Sequence, residues 1–84
     1  MAEDIAVTNF RKYLRINTAH PTPDYETCKQ FLLELGAQLN LERNVYECLP
    51  GKPIVILTHR GTNESLPSLL LNSHTDVVGA CEVR

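Results

Sequence analysis

His74 and Asp76 stand two residues apart at the end of the run Leu69-Leu70-Leu71-Asn72-Ser73-His74-Thr75-Asp76-Val77-Val78. Side chains alternate faces along extended backbone, so a histidine and a carboxylate at this spacing project to the same side. A neutral imidazole is a common metal ligand. A carboxylate beside it can fix its tautomer and raise its basicity. The pair is therefore a candidate start for a metal site, with His74 as ligand and Asp76 as the group that tunes it. Zinc takes about three or four protein ligands, and this segment offers one or two. The alternative is a strand end whose polar pair bonds to a loop.

Other residues with chemical potential read more simply. His20 lies in a proline-rich connection and His59 beside Arg60, and both read as solvated loop histidines. Asp24 precedes an apolar-periodic run and reads as a helix cap. Gly61-Thr62-Asn63 is a turn, without the spacing of a phosphate loop. Arg11, Lys12 and Arg15 form a solvated helix face. Ser73 adjoins His74 but points to the opposite face, and Cys81 has no base in view, so nucleophilic catalysis is not expected. Cys28, Cys48 and Cys81 are an odd, widely spaced set and read as reduced thiols, two of them partly buried.

The elements that must position His74 and Asp76 are set by periodicity. Ile5, Val7, Phe10, Tyr13 and Leu14 recur at helical spacing, and predict a helix over about 4–17 with Asp4 as its cap. Pro21 and Pro23 make the next segment extended. Asp24 opens a second helix over about 25–39, whose apolar positions Tyr25, Cys28, Phe31, Leu32, Leu35 and Leu39 suit packing on a sheet. Gly36 within it costs about 1 kcal/mol relative to alanine and suggests close approach to a neighbour. Three strands are expected next, over 43–49, 54–58 and 68–74, with a turn at Pro50-Gly51-Lys52-Pro53. The unbroken Leu69-Leu70-Leu71 suggests burial on both faces, as at the centre of an α/β sheet. Two helices and three strands supply too few neighbours for such a strand, so the sheet is expected to be incomplete.

The 84 residues carry a formal charge of −2, with 43% hydrophobic and 21% charged residues. That is one domain or less. No basic patch suggests nucleic-acid binding, and no apolar run approaches the roughly 20 residues of a membrane span. The acidic N-terminus is unlike a signal peptide.

The stretches Phe10–Thr18, Pro21–Tyr25, Ile56–Thr58, Gly61–Asn63 and Ser68–Val78 together resemble the start of the aminoacylase-1 family, within the wider zinc metallopeptidases. The resemblance implies that the chain is the N-terminal part of a phosphorylase/hydrolase-like α/β catalytic domain. It implies a cytoplasmic, homodimeric enzyme several times this length. Such an enzyme uses zinc to hydrolyse N-acyl-L-amino acids to a free amino acid and a carboxylate, with two metal ions per subunit. His74 matches a zinc-ligating histidine, and Asp76 the catalytic-site aspartate thought to orient it. Gly79 stands where the family usually has proline, and 79–84 form a divergent tail. The metal-bridging aspartate, the general-base glutamate and the other ligands have no counterpart here, so the chain alone is expected to be inactive and to bind zinc weakly. Two other readings remain: a short non-catalytic form that pairs a sheet edge with a full-length subunit, and a dipeptidase or carboxypeptidase of the wider group.

Overall fold

The computed structural model describes residues 2–79. Helix α1 spans Ile5–Arg15 and starts where the Asp4 carboxylate accepts the amide of Ala6 at 2.8 Å. Glu3 reaches forward and accepts both guanidinium N–H groups of Arg11, at 2.9 and 2.7 Å. Helix α2 spans Tyr25–Gln38. Asp24 caps it, accepting the Thr27 amide at 3.0 Å and the Thr27 hydroxyl at 2.7 Å. At the other end Asn40 adopts φ 57°, the amide of Leu41 donates to Gly36 O, and that of Asn40 donates to Ala37 O. This is the left-handed stop that satisfies the last helical carbonyls.

The chain then forms β1, Glu42–Leu49, and β2, Lys52–Thr58, an antiparallel pair with Val45 opposite Val55 and Arg43 opposite Leu57. Gly51, at φ 77°, makes the turn between them. Residues of β2 alternate: Val55 and Leu57 are half-buried towards α2, while Ile54 and Ile56 are exposed on the other face. One sheet face is thus covered by a helix and the other is bare among the described residues.

The tightest contact in this packing is at Gly36, which is buried. A Cβ there would lie 2.7 Å from Leu57 Cδ2 and 3.0 Å from Arg43 Cγ. The expected close approach is therefore real, and it lets α2 settle on the sheet. Cys28, on the same helix, is 2% exposed, and burial pushes its thiol up, with the charge of Asp24 adding to this. Cys48 is exposed; Cys81 lies outside the described residues, as does all of the 79–84 tail except Gly79.

One expectation needs correction. Among the described residues the sheet has two strands and not three, because 68–74 take no strand conformation. Leu69, Leu70 and Leu71 are 84–85% exposed. A strand is defined by ladder bonds to a neighbour, and among the described residues 68–74 make none with the outer edge of either β1 or β2, so the β-prone sequence stays unpaired. The apolar stripe of α1 is also largely uncovered: Ile5, Phe10 and Leu14 are exposed, and Tyr13 meets Phe31 of α2 with ring centroids 6.1 Å apart. The α/β class and the incomplete sheet stand.

Gly36→Val is expected to lower stability by about 1–3 kcal/mol, the usual cost of overpacking; an unchanged denaturation midpoint would contradict the packing. Gly36→Ala sets a helix gain of about 1 kcal/mol against the same clash and is expected to be close to neutral. The hydrogen bonds from Thr27 hold the Asp24 carboxyl below its ordinary value of 3.8. The cap therefore stabilises α2 above that value and is lost as pH falls through the lower, folded value. The Thr27 amide resonance should titrate with a midpoint below 3.8, and a midpoint above it would count against the cap.

Candidate metal centre

Residues 74–77 reach the body of the fold through the connection between α1 and α2. Ala19 and Val77 form an isolated parallel bridge. The amide of His20 donates to Val77 O at 3.0 Å, and the amide of Val77 donates to Thr18 O at 3.0 Å. Thr18 is buried, 7% exposed, so the connection is itself anchored. The bridge holds Asp76 beside His20, 56 positions earlier in sequence.

Asp76 lies between two histidines. His20 Nε2 is 2.8 Å from Asp76 Oδ2. His74 Nδ1 is 2.8 Å from the backbone carbonyl of Asp76 and 3.3 Å from its Oδ1. A carbonyl can only accept, so Nδ1 of His74 carries the proton. A neutral His74 then has its lone pair on Nε2, the form in which an imidazole binds a metal. The hydrogen bond from His20 holds the Asp76 carboxyl below its ordinary 3.8; burial opposes it, and the charges of His20 and then His74 add to it. The carboxylate is therefore ionised at neutral pH.

His74 and Asp76 also line an open hollow of about 1050 Å³ between the helix–sheet unit and residues 69–76. Tyr13, Tyr25, Cys28 and Leu57 are among its other lining residues. The His74 side chain is 83% exposed, so Nε2 is open to a ligand. Among the described residues no group of three or more His, Cys, Asp or Glu is placed to hold a metal ion. Among the described residues the site presents one exposed imidazole whose Nδ1 is held by Asp76, and no closed coordination set.

The two expected site residues are thus brought together, though by a different atom: the shorter contact to His74 comes from the backbone of Asp76 and not from its carboxylate. His20, expected to be a solvated loop histidine, is instead the partner of that carboxylate. Nothing in the local spacing around His20 signals this, because the pairing depends on the parallel bridge. His59 and the Arg11, Lys12 and Arg15 face take no part in these contacts. No helix among the described residues is long and apolar enough to cross a membrane.

The geometry sets the tautomer. Long-range ¹H–¹⁵N spectra at neutral pH should show His74 chiefly as the Nδ1–H form; a dominant Nε2–H form would contradict the hydrogen bond to Asp76 O.

No family model matches the chain. Individual proteins do. The chain is 54% identical over 77 residues to aminoacylase-1 of Mus musculus, covering 92% of this chain and 19% of that protein. It is 51% identical over 76 residues to aminoacylase-1 of Sus scrofa, covering 90% and 19%. Against aminoacylase-1 of Dictyostelium discoideum it is 46% identical over 78 residues, covering 93% and 19%. The chain spans about a fifth of the length of these relatives. Identity this high along nine-tenths of the chain makes it a homologue of the aminoacylase-1 proteins.

Proposed function

We propose that these residues contribute one arm of a zinc site in an aminoacylase-type amidohydrolase. The reaction is hydrolysis of an N-acyl-L-amino acid to a free amino acid and a carboxylate. One observation carries the reading: in a chain homologous to aminoacylase-1, Asp76 holds the Nδ1–H of His74 and leaves Nε2 open as a ligand.

The donor chemistry fits zinc at this one position. A neutral imidazole with its other ring nitrogen bonded to a fixed acceptor is the usual zinc-binding arrangement. The described residues hold no closed ligand set, so the reading takes the remaining ligands and the general base from chain outside residues 2–79. A zinc ion held by His74 together with ligands from outside the described residues would supply Lewis-acid polarisation of the amide carbonyl and a lowered pKa for the attacking water. What this segment does is narrower. His74 offers Nε2, Asp76 keeps the proton on Nδ1, and the ionised carboxylate raises the basicity of the ring. The same reading carries a homodimeric, cytoplasmic enzyme. An interaction-module reading would rest on a strand edge beside Leu69–Leu71, and that strand is absent from the described residues.

The test joins these residues to the remaining four-fifths of mouse aminoacylase-1 in place of its own matching segment. The zinc-loaded chimaera is expected to hydrolyse N-acetylmethionine. Asp76→Asn should reduce kcat/KM by about 10–100-fold, the usual effect of losing a carboxylate behind a metal-bound histidine, and His74→Ala by more. A His74→Ala chimaera with unchanged kcat/KM would overturn the reading. The 84-residue chain by itself is expected to give no turnover; activity abolished by His74→Ala would contradict that.

A further inference from the structure

We propose that His20 is a positioning residue for His74, acting through Asp76; this rests on the role of His74 given above. His20 does not touch His74's open nitrogen. It donates from Nε2 to Asp76 Oδ2 at 2.8 Å. That bond occupies one carboxylate oxygen and leaves Oδ1 3.3 Å from His74 Nδ1. The same residue is pinned through its backbone, because its amide donates to Val77 O. One residue of the connection therefore holds both the backbone just after Asp76 and the Asp76 carboxylate.

The physical consequence is a restriction of Asp76. Its side chain is half-exposed, and an aspartate free in water samples several rotamers. Most of those would carry the charge away from His74. The His20 bond selects the one that keeps the charge beside Nδ1–H. It also steadies the peptide whose carbonyl accepts that proton. Both effects favour the Nδ1–H tautomer and so keep the lone pair on Nε2. Gly79 belongs to the same arrangement: a Cβ there would lie 3.1 Å from His20 O, so the small residue lets the strap sit close.

The test compares two side chains of similar length in the 84-residue chain, without metal. His20→Gln keeps a donor at the end of the side chain, and His20→Met removes it. Long-range ¹H–¹⁵N spectra read the His74 tautomer ratio, and the Ala19 and Val77 amide shifts report whether the bridge persists. The Gln variant is expected to keep the native ratio. The Met variant should lose Nδ1–H preference by about two- to tenfold, the scale of one hydrogen bond. Equal ratios in the two variants, whether both native or both shifted, overturn the proposal. No turnover or zinc is involved, so this result and failure of the chimaera to depend on His74 are separate outcomes.

Discussion

Three hydrogen bonds tie the candidate site to the fold: His20 N–H to Val77 O, Val77 N–H to Thr18 O, and His20 Nε2 to Asp76 Oδ2. They matter because residues 68–73 lack strand pairing, so the segment that delivers His74 is not fixed from its N-terminal side. The imidazole is oriented from its C-terminal side, by Asp76 and Val77. Asp76 serves as the hinge of this arrangement, with its carbonyl turned to one histidine and its carboxylate to another. Such bonds are individually modest, each of net order about 1 kcal/mol, and cooperate only because buried Thr18 and the flanking helices hold the connection still.

The packing beneath is thin. Cys28 and Gly36 are the buried positions of α2, and large apolar side chains on α1, on the outer face of the sheet and at 69–71 meet solvent. The radius of gyration is 15.5 Å, against about 12 Å for a compact chain of this length. A segment without ladder bonds is where local opening is least costly. The hollow lined by His74 and Asp76 is bounded in part by this unpaired segment, Leu69 to Asp76.

Much of this is legible in sequence, for a local reason. Helix periods, the Asp4 and Asp24 caps, the Pro50-Gly51 turn and the Ile54–Thr58 strand are set by residues within a few positions of one another. So is the demand at Gly36 for a close neighbour. The 68–74 segment departs from its expected strand because leucine-rich sequence reports a preference for burial, whereas a strand needs a partner. The role of His20 is hidden because it lies in a contact spanning 56 positions, which no spacing rule encodes. For His74 and Asp76 the two-residue spacing reveals the pair, but their shortest bond runs to a backbone carbonyl, which carries no mark in the sequence.

In the proposed site His74 would bind zinc through Nε2, with Nδ1 held by Asp76. This is tested most directly by a crystal structure of the zinc-loaded chimaera with mouse aminoacylase-1, using anomalous scattering at the zinc edge. A zinc ion is expected about 2.0–2.1 Å from His74 Nε2, with Nδ1 still bonded to Asp76. A zinc ion bound through Nδ1, or a loaded site with no zinc in bonding distance of His74, would contradict it.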